Sequence, residues 1–160
     1  MILENEQLTI YDQSLNPIVV KDVSEISDFQ IVVARLSPSG DRLFVARQFT
    51  GVILDSSTLV PLVEFNDGGI MPRTAQWSNN GMEIAFRRLD GRATSIYATD
   101  TGQKLREFDL DGWRDPYELV RSPNGDLFAS FLQEHITILD AQDGSIVNSF
   151  HIAESIYSVS

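Results

Sequence analysis

Apolar residues in this chain come in short runs of roughly 4–8 residues, rich in Val, Ile, Phe and Leu. Gly, Asn, Asp, Ser and Pro separate the runs. Helical spacing is hard to find in any window. The pattern therefore predicts many short antiparallel strands joined by tight turns. It also repeats. ARLSPSGDRLFVARQFTGVILD at 34–55 returns as LVRSPNGDLFASFLQEHITILD at 119–140. The turns SPSG, SNNG and SPNG end at Gly40, Gly81 and Gly125, in steps of 41 and 44 residues. A strand-like run closes on Asp12, Asp55, Asp100 and Asp140, in steps of 43, 45 and 40.

Each marker has a mechanical role. Pro38 presets φ at the first corner of its turn, and Gly40 accepts the positive φ that closes it. In DTGQK (100–104) and DAQDGS (140–145) the Asp side chain bonds backbone amides ahead of it. RRLDGRA carries an Asp-Gly hairpin signal between these two reversals. Three reversals per period give four strands in about 40–45 residues, the sequence signature of β-propeller blades. The expected fold is all-β, a propeller of four-stranded antiparallel blades, with about four blades' worth of sequence. That is a partial ring or half of a larger one.

On these residues the chain resembles the WD-repeat family of β-propellers, as a divergent, WD-like member. LSPSGDRLFVA…VILDSSTLVPLVEF, WSNNGMEIAF…SIYATDTGQKLREF and RSPNGDLFAS…ITILDAQDGSIVNSF look like three blades. Two features of the family are altered. Its Trp-Asp pair is replaced by Tyr11-Asp12, Leu54-Asp55, Thr99-Asp100 and Leu139-Asp140, and its Gly-His pair is absent. The resemblance implies a non-catalytic scaffold that presents loops to protein partners.

Lettering the strands of a blade a to d from the inside outwards, the expected blades cover about 30–65, 73–110 and 117–152. Residues 1–4, 7–12 and 17–23 read as b, c and d strands of an incomplete blade, and SIYSVS at the end as a further inner strand. The whole of 1–160 reads as one propeller or propeller segment. Four blades is few for such a ring, so a second copy, a different protein or further chain could complete it.

Composition narrows the function. The chain has 160 residues, 42% of them hydrophobic and 22% charged, as in a globular protein. There is no cysteine and therefore no disulfide framework. No apolar run is long enough for a transmembrane helix, and MILENEQLTI lacks a basic n-region. An intracellular protein, of cytoplasm or nucleus, is the expectation. The formal net charge of −11 disfavours nucleic acid and anionic membranes as partners.

Catalytic chemistry finds little support. Only His135 and His151 could act as imidazole bases, and no Gly-x-Ser-x-Gly elbow is present. The two histidines are expected to be structural, since a metal site needs more ligands. Asp109, Asp111 and Asp115 in DLDGWRD miss the calcium-loop spacing, because Trp113 stands at a ligand position. DGG at 67–69 lacks the Lys-Ser/Thr and helix of a phosphate loop. No catalytic residue, cofactor or metal is expected. Trp77 and Phe86 are expected in the core.

A partner face has better material. The d–a and b–c loops share one end of a propeller and collect Met71, Arg73, Arg87, Arg88, Arg92, Trp113, Arg114 and Tyr117. These types dominate interface energetics. Turn serine to closing aspartate spans 18 residues (37 to 55), 22 (78 to 100) and 18 (122 to 140), which places an insertion in the middle blade. The alternative function is a substrate-gating or ligand-binding propeller portion of a larger enzyme. It would use channel-facing residues, and Arg35, Gln76 and Arg121 are the candidates for an anion-binding ring.

Overall fold

The computed structural model describes residues 2–4, 7–11, 14, 17–22, 33–46, 50–91, 93–109, 118–132 and 135–152. Among them are fifteen strands and no helix, so no helix is long and apolar enough to cross a membrane. Three antiparallel sheets each have four strands in chain order. The first holds β4 (Val33–Leu36), β5 (Arg42–Ala46), β6 (Gly51–Asp55) and β7 (Pro61–Phe65). The second holds β8 (Ile70–Trp77), β9 (Glu83–Arg88), β10 (Ala93–Ala98) and β11 (Lys104–Asp109). The third holds β12 (Glu118–Arg121), β13 (Leu127–Leu132), β14 (His135–Asp140) and β15 (Ile146–His151). A three-stranded sheet precedes them, formed by β1 (Ile2–Glu4), β2 (Gln7–Tyr11) and β3 (Pro17–Asp22). These are blade-like propeller sheets. Their first strands gather, with β8 lying beside both β4 and β12.

The sheets stack face to face, which explains the unbroken apolar runs of the central strands. Side chains alternate across a strand, so a strand covered on both sides needs apolar residues at successive positions. In β5, Phe44 and Ala46 turn to the second sheet and meet Ile84, Phe86 and Tyr97. Leu43 and Val45 turn the other way, into a cluster with Val52, Leu54 and Leu59. In β9, Ile84 and Phe86 face the first sheet, while Ala85 joins Leu119, Phe128 and Leu139 of the third. The rings of Phe44, Phe65, Phe86 and Tyr97 pack with centroids 5.2–6.3 Å apart, tilted or edge-on. Trp77 packs against this cluster, and its indole N–H donates to the Arg35 carbonyl at 3.2 Å, tying β8 to β4.

The turn serines are structural. Ser37, Ser78 and Ser122 each receive a backbone N–H on Oγ, from Arg42 (3.1 Å), Glu83 (2.8 Å) and Leu127 (3.0 Å). Gly40, Gly81 and Gly125 close these turns at φ of 77°, 69° and 82°. The second marker needs correction. Leu59, Gly102 and Gly144 donate to the carbonyls of Asp55, Ala98 and Asp140. Ala98 therefore occupies the strand-end position in the second sheet, and Asp100 lies two residues on, in the turn. Serine to strand end is 20 residues there (78 to 98), so the middle sheet gains two residues rather than four.

A better marker emerges from the strand pairing. All four sheets shift register at one point, after Ile10, Ile53, Ile96 and Ile138. The first, incomplete sheet is thus in phase with the rest. The outer turn that follows also repeats. Gly102 and Gly144 have φ of 69° and 75°, and a Cβ on them would meet Val63 Cγ1 at 2.8 Å and Phe108 Cβ at 2.6 Å of the preceding sheet. Leu59 takes the same left-handed conformation at φ 57° and buries its side chain among Leu43, Val45, Val52 and Leu54.

Asp55 anchors its turn through Oδ1, which accepts from the amides and hydroxyls of both Ser57 and Thr58. The Ser57 hydroxyl, then the Thr58 amide and hydroxyl, pull its pKa from 3.8 to about 2. A depressed carboxylate stabilises the fold fully above its unfolded value and loses that contribution as pH falls towards the folded one. Asp55→Ala should therefore melt lower than the parent at neutral pH, with the gap closing between pH 3.8 and about 2; a constant gap in thermal melts would remove the role. Gly144→Ala should cost about 1–3 kcal/mol in urea melts through left-handed strain and collision with Phe108. Unchanged stability would overturn that contact.

Candidate functional site

Two ends of the sheet stack carry polar groups, and they are built differently. At the loop end of the second sheet, Asp67 lies between β7 and β8. Its carboxylate accepts from the Gly69 amide (3.1 Å), the Tyr97 hydroxyl (2.7 Å) and Arg88 Nη1 (3.1 Å). Arg88 also approaches Glu107 at 4.0 Å, and Glu107 takes bonds from Ser95 Oγ (2.5 Å) and Lys104 Nζ (3.1 Å). The Tyr97 hydroxyl bond, followed by that of Gly69 and the Arg88 charge, holds Asp67 below the usual carboxylate range. Burial and the Asp67 partner push the Tyr97 phenol up. The network clamps the connection from β7 to β8 onto three strands of the next sheet.

This sorts the expected partner-face residues. Arg88 is held inside the clamp, bonded to Asp67. Arg87 is 3% exposed, facing the third sheet's side of β9, so no partner reaches it from solvent. Its amide donates to Thr74 Oγ1 at 2.9 Å, where the β8–β9 register shifts between Met71 and Gln76. Met71 is half-buried and Arg73 exposed. Arg92, Trp113, Arg114 and Tyr117 lie outside the described residues.

The opposite end, where the SPxG turns lie, holds clefts between sheets. One of about 530 Å³ separates the second and third sheets, lined by Asn80, Glu83, Arg106, Arg121, Asn124 and Gln142 among others. Glu83 sits between two arginines there. Its carboxylate accepts from Arg106 Nη1 (2.7 Å) and Nη2 (2.9 Å), and from Arg121 Nη2 at 3.4 Å. The Arg106 bond is the first cause that holds Glu83 below its ordinary pKa. Arg106 also reaches across to the Ala141 carbonyl at 3.1 Å, closing one sheet on the next. Between the first and second sheets Arg42 does the same to the Thr99 carbonyl, at 3.1 Å, beside a smaller cleft of about 310 Å³.

The three channel candidates do not form a ring. Arg35 pairs with Phe44 and Gln76 with Ala85, which are equivalent positions counted from the SPxG turn. Arg121 pairs with Phe128, one register step along, the position that Trp77 and Leu36 hold in the other sheets. Val120 is the true counterpart of Arg35 and Gln76. One step reverses the face, so Arg121 points back to the second sheet, as Phe128 does, whereas Arg35 and Gln76 share the faces of Phe44 and Ala85, which turn to the following sheet. It lies over the Phe128 ring with its side chain 8% exposed, donating through Nε to the Gly125 carbonyl at 3.0 Å. Burial lowers its pKa, against the pull of Glu83.

Glu83 and Arg106 were not legible as functional residues. The signal for them is substitution within the repeat: Glu83 stands where the first sheet has Arg42, and Arg106 where it has Val63. The two histidines also come together. His135 and His151 are directly opposite on β14 and β15, both exposed, with ring centroids 4.8 Å apart. Among the described residues no group of three His, Cys, Asp or Glu converges.

No family model matches the chain, and no curated protein matches it in sequence. Among solved structures it is similar to Kuenenia stuttgartiensis hydrazine synthase, with a TM-score of 0.61 and 17% identity. The match covers 76% of this chain and 36% of that one, so this chain spans about a third of its length. At that identity the likeness is one of fold.

Proposed function

We propose that the chain is a non-catalytic protein–protein interaction scaffold, a WD-like propeller portion that works within a larger assembly. One observation carries this reading. The outer strand of each four-stranded sheet carries a Phe at the same register: Phe65, Phe108 and Phe150. The first two are 2% and 5% exposed, and Phe150 is 48% exposed. Ile146 and Val147 on the same strand are exposed as well. The occupant that fits is another sheet of the same repeat, with a left-handed turn residue to lay over Phe150, as Gly144 lies over Phe108. A second copy, a different protein or further chain can supply it. The charged groups described above support the same reading, since they clamp neighbouring sheets to one another and hold no base against a nucleophile.

The cleft at Glu83, Arg106 and Arg121 favours a second reading, a ligand-binding propeller portion of a larger enzyme. Its volume, about 530 Å³, suits a small polar ligand.

Photo-crosslinking separates the two. With p-benzoylphenylalanine at position 150, the chain expressed in its own cells should form a discrete protein adduct. The same probe at Met82, exposed at the opposite end, is the control. Equal adduct yields at 150 and 82 would sink the scaffold reading; a small molecule retained by the parent and lost in Arg106→Gln would favour the alternative.

A further inference from the structure

The sequence separates His135 from His151 by a strand and a turn, yet the β14–β15 ladder makes them a direct cross-strand pair. We propose that these two imidazoles form a bidentate site for a borderline divalent transition metal ion of the zinc, nickel or copper class. Imidazole suits those ions, and their affinity for nitrogen ligands exceeds that of the lighter divalent metals.

Ring spacing gives a quantitative check. Metal–nitrogen bonds of about 2.0–2.1 Å put each ring centre about 3.2 Å from the ion. Two rings meeting the ion at roughly 90–110° then have centres about 4.5–5.2 Å apart. The observed separation is 4.8 Å, with the rings inclined at 46°. Facing residues in an antiparallel ladder are held at this range by the backbone, so little order is lost when the ion binds. Both side chains are exposed, which leaves the ion open to solvent. Two protein ligands leave coordination positions for water or for a carboxylate or imidazole from a docked partner.

The site is independent of the scaffold reading. His151 follows Phe150, so alternation puts the two side chains on opposite faces of β15. His135 shares its face with Thr137 and Leu139, and Leu139 packs against the second sheet. Loss of the Phe150 surface would leave the chelate intact, and the reverse also holds.

The test uses the full chain, stripped with EDTA and dialysed into a non-coordinating buffer. Calorimetric titration with zinc chloride should show one ion per chain. His135→Gln and His151→Gln should each weaken binding about tenfold or more, since even outer-shell partners of metal ligands cost that much. Zinc should also raise the melting temperature of the parent and of neither variant. Imidazole resonances of both histidines should shift together in nitrogen–proton correlation spectra. Both positions are exposed, so the variants keep the parent's circular dichroism. Zinc affinity equal in the parent and the double variant, or resonances that do not move, would overturn the site.

Discussion

The four-stranded sheets of this chain carry apolar residues on both faces and must bury the two at once. A sheet four strands wide cannot stand alone with apolar residues on both sides. Its stability comes from the sheet before and the sheet after. The ring cluster of Phe44, Phe65, Phe86 and Tyr97 is the centre of one such contact. Phe108 and Phe128, 6.5 Å apart, hold the corresponding place in the next. Aromatic truncation at such positions costs about 3–5 kcal/mol, a large part of a domain's whole stability. Exposure rises from β7 through β11 to β15.

The polar chemistry follows from the same stacking. Sheets arranged side by side around a centre leave wedge-shaped gaps at their ends, and the side chains that fill them are arginines. Arg42 and Arg106 cap carbonyls of the following turn, and Arg88 pins the connection from one sheet to the next. A guanidinium suits this task, with several donors in a fixed plane and a face that lies on an aromatic ring. Arg121 over Phe128 combines both uses.

Much of the architecture was legible because double burial writes itself into the chain. Runs such as LFVA, VIL and IAF have no polar alternation, and the turn residues that separate them have narrow conformational roles. The expected strands at 1–4, 7–12 and 17–23 match β1, β2 and β3 within two residues. What misled was residue type standing in for position. Aspartate serves equally well at a strand end, as Asp140, and inside a turn, as Asp100, so it marked two different places. Arginine at 121 looked equivalent to Arg35, but register depends on counting from the turn, and a single step reverses the face. Arg88 offered itself as a surface residue because its carboxylate partner, Asp67, lies on a different strand connection. The histidine pair was hidden for a similar reason: ladder partners are neighbours in space only.

The slip in pairing after each of four isoleucines concerns only the two outer strands of its own sheet. Nothing in it depends on which sheet stands next. A segment cut and rejoined at matching isoleucines, 42 or 43 residues apart, keeps every strand in phase with its neighbours. That makes the isoleucine a natural joint for duplication and exchange during evolution, so a ring of this kind can lengthen or shorten by whole sheets without any of them having to be reinvented.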